Sequence, residues 1–95
     1  MQLDSRSHWL FFKLIEDSFY RYGKQRVWVG YLSPQDSEYD REFFIRFRGR
    51  SRTIIEFDAK PEVIQEILKE GKDGQRLRIF VQKQLLKLKS LKLND

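Results

Sequence analysis

The chain has 95 residues and a formal net charge of +5, and this length allows a single small domain. Hydrophobic residues make up 40% and aromatic residues 15% of the sequence, which excludes a disordered tail. With no cysteine and one histidine, the sequence excludes a disulfide scaffold and a thiolate zinc site and argues against a histidine-rich metal site.

An amphipathic helix is predicted over residues 7–22. Its apolar side chains recur at helical spacing along one stripe: Phe11, Phe12, Ile15, Phe19 and Tyr22. A polar residue near its start can cap the helix: Asp4, Ser5 or Ser7. Gly23 can adopt the left-handed conformation that ends a helix, and His8 is expected at the exposed helix start.

Three segments of alternating apolar residues predict strands over residues 26–32, 42–48 and 52–58. The second and third strands form a hairpin, and the length of its loop sets their register. A three-residue loop pairs Phe43 with Phe57 and Ile45 with Ile55, which gives one consistent apolar face. A two-residue loop would mix apolar and charged side chains on that face, so we favour the three-residue loop.

A second helix is predicted over residues 61–70. Pro61 suits its first turn, Asp58 or Lys60 lies near its cap, and Gly71 follows its end. After a turn, the alternation of residues 77–81 predicts a fourth strand. The spacing of leucines in residues 82–93 fits neither a clean helix nor a clean strand, but the composition favours a helix.

These elements give the order α-β-β-β-α-(β)-(α), an α+β fold with an antiparallel sheet and helices packed on one face. The domain spans residues 1–95, with a core over about residues 7–82 and a basic tail, rich in leucine and lysine, over residues 83–95. The longest apolar run, residues 9–12, is far shorter than the ~20 residues that cross a bilayer. No transmembrane segment or signal peptide is predicted, and a cytoplasmic protein is expected.

The positive charge lies in two blocks of the sequence. Residues 41–52 hold five arginines against Glu42, a net of +4, and residues 76–95 hold six basic groups against Asp95, a net of +5. Clustered positive charge indicates an anionic partner, although each block alone is also compatible with a solvated surface.

The strand alternation assigns aromatic and arginine side chains to the face opposite the core: Trp28, Phe44, Arg46, Arg48, Arg52 and Ile54. Rings that stack on bases and guanidinium groups that bind phosphates suit single-stranded or looped RNA. The main hypothesis is therefore a non-enzymatic RNA-binding module with no cofactor and no metal. Its candidate contacts are Trp28, Phe44, Arg46, Arg48, Arg50, Arg52, Arg76, Arg78, Lys83, Lys87 and Lys89.

Other interpretations of this face stay open. The tail helix can cover it as a second core layer, or a protein partner can bind there, since interfaces are also rich in Trp, Phe and Arg. The alternative function is thus a protein-binding adaptor or accessory subunit. A homodimer that forms through the apolar sheet face or the leucine-rich tail is a further possibility.

The α-β-β-β-α order with a basic open face, over about residues 7–71, resembles the Alu-binding proteins of the signal recognition particle and in part double-stranded-RNA-binding domains. The resemblance implies RNA binding. The sequence departs from the latter domains where Pro61 and Glu62 replace their lysine-rich helix start.

A second resemblance concerns acidic residues. Asp40 and the run Glu56-Phe57-Asp58-Ala59-Lys60 are similar to the motif of metal-dependent PD-(D/E)xK nucleases. The resemblance implies Asp40 and Asp58 as Mg²⁺ ligands, Lys60 as the catalytic lysine and Glu16 as a further acid. The simpler interpretation makes Asp58 a helix cap and Lys60 a solvated side chain. Enzymatic activity stays an open alternative.

Overall fold

The computed structural model describes residues 3–32, 42–48 and 54–93. Within these ranges the elements are α1 (Ser5–Gly23), β1 (Val27–Tyr31), β2 (Glu42–Phe47), β3 (Ile54–Asp58), α2 (Pro61–Glu70) and α3 (Gln75–Leu93). The three strands form one antiparallel sheet in the order β1-β2-β3. The α+β class, the meander and the single compact domain are confirmed.

The register of the hairpin is the predicted one. Phe43 pairs with Phe57 and Ile45 with Ile55, as a three-residue loop requires. The loop itself lies outside the described residues, and so do Arg50 and Arg52. Because side chains alternate along a strand, this register fixes which residues of all three strands point to the core.

One face of the sheet is buried, and apolar residues of all three helices join it in a single core. Phe43, on the central strand, has no exposed surface. Helix α1 lies on β1 and contacts both α2 and α3. The prediction that the helices pack on one face is therefore correct. The members of the core are Phe11, Ile15, Phe19, Val27, Val29, Phe43, Ile45, Phe47, Ile55, Phe57, Ile64, Ile67, Leu77, Val81 and Leu88.

Helix α1 begins at its predicted cap but ends differently. The Asp4 carboxylate accepts a hydrogen bond of 2.8 Å from the amide of Ser7. Gly23 is still helical, and Lys24 takes the left-handed conformation with a φ of 53°. A Cβ on Gly23 would lie 2.6 Å from a methyl group of Leu85, so this glycine serves the close contact of α1 with α3.

The expectation for His8 is wrong. Its side chain is only 4% exposed, because α1 begins at Ser5 and its second turn already faces the core. The imidazole lies among the rings of Phe12, Tyr31 and Phe43, with centroid distances of 5.3–6.4 Å. The histidine is thus part of an aromatic cluster in the core.

Helix α2 has its predicted bounds, with Lys60 at the N-cap position and Pro61 as the first helical residue. Asp58 is the last residue of β3 and does not cap the helix. Gly71 ends the helix with a φ of 79°, a conformation that favours glycine.

The predicted fourth strand is wrong, because residues 77–81 form the first turns of α3. The buried residues Leu77, Val81, Gln84 and Leu88 are three or four positions apart, which is helical spacing. The apolar residues at 77, 79 and 81 gave the appearance of a strand because Ile79 is apolar although it is exposed and lies beside the buried stripe. The helix expected for the tail is confirmed, and it is continuous with these first turns.

We expect Phe43→Ala to lower the free energy of unfolding by about 3–5 kcal/mol, because it opens a cavity between α1 and the sheet. Ile54→Ala, a control on the exposed face of β3, should cost less than about 1.5 kcal/mol. Urea unfolding followed by far-UV circular dichroism measures both. Equal costs would contradict the assignment of the buried face.

The capping bond predicts a dependence on pH. The Ser7 amide holds the pKa of Asp4 below its ordinary value of 3.8. The folded-state pKa is lowered, so the stabilisation is present above the unfolded pKa and is lost as the pH falls through the lowered value. Asp4→Asn keeps the acceptor without titrating, and its melting temperature should fall less than that of the wild type between about pH 5 and pH 2. Parallel pH profiles would contradict the cap.

Candidate nucleic-acid interface

The face of the sheet away from the core carries an arginine–tryptophan cluster. Trp28 pairs across the strands with Arg46 and keeps 42% of its surface exposed. The guanidinium carbons of Arg46 and Arg48 lie 4.3 Å and 4.7 Å from the centre of the Trp28 ring. At an exposed site each such cation–π contact contributes about 0.5–1 kcal/mol. The sequence prediction that joined these three side chains on one face is geometrically correct.

Phe44 lies on the same face but is less available than the sequence suggested. It is half-buried and pairs with Gly30, where an added Cβ would meet the Phe44 ring at 3.0 Å. Gly30 thus lets the ring lie close to the backbone of β1. Part of the Phe44 ring therefore packs against β1, and the rest of the ring is exposed on the open face.

Among the described residues, the open face is basic at one end and acidic at the other. Glu56 pairs with Phe44, and exposed Asp58 follows it on the same side of β3. The sequence interpretation omitted Glu56, although its parity in the strand already assigned it to this face. A polyanion would therefore be attracted to the end of the sheet that holds Arg46 and Arg48 and repelled from the other end.

The basic surface continues from this end onto helix α1. The amide of Arg48 donates to the carbonyl of Arg26 at 2.9 Å, so the two arginines are neighbours at the sheet end. Arg26 and Lys24 then contact the ring of Tyr20, at 4.8 Å and 5.2 Å. An open groove of about 340 Å³ lies here, lined by Glu16, Asp17, Tyr20, Arg21, Arg26 and Arg48 over the buried Val27.

The surface then reaches helix α3. Arg21 of α1 and Arg78 of α3 contact the Tyr22 ring at 5.3 Å and 5.5 Å. Each of three aromatic rings on this path therefore has two cations over it. We call this surface the basic aromatic belt: Trp28, Arg46, Arg48, Arg26, Tyr20, Lys24, Arg21, Tyr22 and Arg78.

The middle of the belt was not among the binding residues predicted from the sequence. Residues 20–26 have the sequence Tyr-Arg-Tyr-Gly-Lys-Gln-Arg, which mixes aromatic rings with positive charges. When the net charge is summed over residues 1–40, acidic residues elsewhere in this range cancel that local positive charge. A net charge summed over about seven residues at a time would have identified this segment.

The arginines of the belt differ in their partners. Arg21 donates to the Asp73 carboxylate at 2.7 Å, which raises the pKa of Arg21 and lowers the pKa of Asp73. Arg26, Arg46 and Arg48 form no ion pair with any carboxylate of the described residues. Within the described residues, these three guanidinium groups therefore lie beyond ion-pair distance of any carboxylate.

Helix α3 divides its predicted phosphate contacts between two sides. Arg78 and Lys89 are three turns apart on the side of Tyr22, and Lys89 lines a groove with that ring. Arg76, Lys83 and Lys87 share the other side, where Arg76 lies 3.7 Å from Glu70 of α2. The belt therefore includes Arg78, borders Lys89 and excludes the other three.

Two residues of the nuclease resemblance, Asp58 and Glu16, lie far apart in the fold. Asp58 lies at the end of the sheet where Glu42 begins β2, whereas Glu16 lines the groove beside Val27 at the opposite end. Lys60 is exposed at the start of α2, and Asp40 lies outside the described residues. Across residues 3–32, 42–48 and 54–93, no group of three or more His, Asp or Glu side chains could hold a metal ion.

Helix α3 packs against α1 and α2 on the core side and does not form a second layer over the open face.

Among the helices described, none is long and apolar enough to cross a membrane. Comparisons of the chain with protein-family models, with curated proteins and with solved structures gave no match. Function is therefore inferred from the geometry of the belt.

Proposed function

We propose that the protein is a non-enzymatic module that binds single-stranded or looped RNA through the basic aromatic belt. One observation carries the proposal: three partly exposed rings, each with two cations over it, follow one another from the sheet face to α3, and bases stack both on such rings and on guanidinium planes. Stacking of a base on an aromatic side chain contributes about 1–3 kcal/mol, and guanidinium groups bind phosphates with two parallel hydrogen bonds.

The rings favour an unpaired strand over a duplex. A ring can stack only on a base whose face is exposed, and the bases of a duplex are stacked on one another. The belt also bends from a sheet face around the end of a helix, a path that a flexible strand can follow. Arg26, Arg46 and Arg48 favour phosphate contacts, because no ion pair with another described residue has to break first.

Binding to RNA should depend strongly on salt. If about five phosphates are neutralised, the slope of log affinity against log salt is about −3.5 for a single strand. Removing two of these contacts with Arg46→Ala and Arg48→Ala should change the slope to about −2 and weaken binding to all sequences. Fluorescence anisotropy with a labelled unstructured octanucleotide at several salt concentrations measures this.

The matched control is the double variant Lys83→Ala and Lys87→Ala, which removes the same charge from the other side of α3. We expect its slope to stay near that of the wild type. Equal effects of the two double variants would show general charge attraction and would contradict binding at the belt. Absence of salt-dependent binding to any RNA or DNA at micromolar protein would contradict the proposed function.

The bond between Arg21 and Asp73 gives a prediction with the opposite sign. Asp73→Asn removes the carboxylate that competes with phosphate for Arg21, so affinity for RNA should rise about two- to fivefold and the slope should steepen by about 0.7. Glu66→Gln, which changes the charge equally on the exposed side of α2, is the control. An equal gain in both variants would mean that Arg21 does not contact the strand.

A protein-binding adaptor is the second candidate, and the exposed apolar side chains of α3 favour it. Leu86 is 65% and Ile79 47% exposed. Such side chains can anchor a protein partner. A partner that is retained in a pull-down after nuclease treatment, and lost on Leu86→Ser, would support this function over RNA binding.

A further inference from the structure

The groove at the end of α1 differs from the rest of the belt because it contains carboxylates. Glu16 and Asp17 line it together with Tyr20 and three arginines. Its volume of about 340 Å³ is at the small end of the range of ligand sites, which is about 300–1,000 Å³. A site of this size fits one nucleotide unit better than a longer segment.

The carboxylates are not explained by ion pairs within the groove. Asp17 has no ion pair with any described residue, and Glu16 has only a contact of 3.9 Å with Lys13 on the helix surface. A surface that bound phosphates alone would be weakened by these two charges. Their presence beside unpaired Arg26 and Arg48 fits a ligand that combines an anion with hydrogen-bond donors.

A nucleotide of an RNA strand is such a ligand. Its phosphates match the guanidinium groups, its base matches the half-exposed Tyr20 ring, and the edge of the base faces the remaining polar groups. The hydrogen-bond donors on the Watson–Crick edge of a base determine whether that base can bind to a carboxylate. Guanine has two adjacent donors, N1–H and the N2 amino group, which match the two oxygens of one carboxylate.

The other bases fit this edge less well. Adenine and cytosine have an acceptor nitrogen beside the amino group, and uracil has one N–H between two carbonyl oxygens. Each of them would set a lone pair against a carboxylate oxygen, which is repulsive. The mixture of cations, a ring and carboxylates therefore favours guanine over the other three bases.

We infer that this groove holds one guanine nucleotide of the bound RNA strand. The base stacks at Tyr20, its Watson–Crick edge donates to Asp17 or Glu16, and the flanking phosphates bind Arg26 and Arg48. The inference rests on the proposed function, and it adds base selectivity to a belt whose other contacts are indifferent to sequence.

The test compares labelled octauridylate with the same strand carrying one central guanosine, adenosine or cytidine. We expect the guanosine strand to bind about tenfold more tightly than octauridylate, since a bidentate base contact discriminates by at least that factor in favourable cases. The adenosine and cytidine strands should bind within about threefold of octauridylate, because stacking is tolerant of sequence.

The double variant Glu16→Gln and Asp17→Asn should lose the preference for guanosine and bind octauridylate at least as tightly as the wild type, because two negative charges leave the groove. The control is Glu62→Gln with Glu66→Gln on α2, which makes the same charge change and should keep the preference. Melting curves of both variants confirm that they fold.

The outcomes separate this inference from the proposed function. Equal, salt-dependent binding of all four strands would overturn the guanine site and leave RNA binding intact. A guanosine preference that persists in the Glu16 and Asp17 variant would overturn the role of these carboxylates. Failure of every strand to bind would overturn the proposed function together with the site.

Discussion

The aromatic packing around Phe43 is the interaction on which the rest of the structure depends. Phe43 lies on the central strand and contacts rings from α1, β1 and β3, including Phe11, Tyr31 and Phe57. Because strand side chains alternate, fixing Phe43 in the core assigns Phe44 and Arg46 to the opposite face. The position of the basic residues is therefore a consequence of core packing.

The short connection between α1 and β1 then joins the two halves of the belt. Lys24 takes the left-handed conformation and its amide donates to the carbonyl of Tyr20, while the amide of Gln25 donates to the carbonyl of Phe19. The cations at this end also lie near the negative end of the helix dipole, which stabilises them and the helix. Arg26 and Lys24 thus have a structural role at the end of α1, where both cations contact the Tyr20 ring.

Local pattern predicts the elements of this protein better than it predicts which residues meet. The stripe of α1, the bounds of α2 and the hairpin register follow from spacing and apolar parity alone. The fourth strand failed because exposed Ile79 imitates alternation, while buried Gln84 interrupts the stripe that would have revealed α3. Glutamine is polar and is rarely buried without hydrogen bonds, so the sequence offered no reason to expect Gln84 in the core. Its Oε1 atom has no hydrogen-bond partner within the described part of the chain.

In the candidate site, too, the local pattern predicts which residues share a face but not which elements meet. Strand parity was sufficient to join Trp28, Arg46 and Arg48, since one sheet face is a local property. The belt beyond them requires the end of α1, the start of β1 and one side of α3 to meet, and no local pattern encodes that meeting.

The acidic residues of the open face determine which path over the surface is favourable for a polyanion. Glu56 and Asp58 occupy the far end of the open face, so a strand laid along the whole sheet would pass from attraction into repulsion. The favourable route for a polyanion turns at Arg48 instead and continues over Tyr20 toward Arg78. The net charge of +5 is modest, but arginines are gathered along this route, where Glu16 and Asp17 offset part of their charge. The basic end of the open sheet face and the end of helix α1 together form this positive surface.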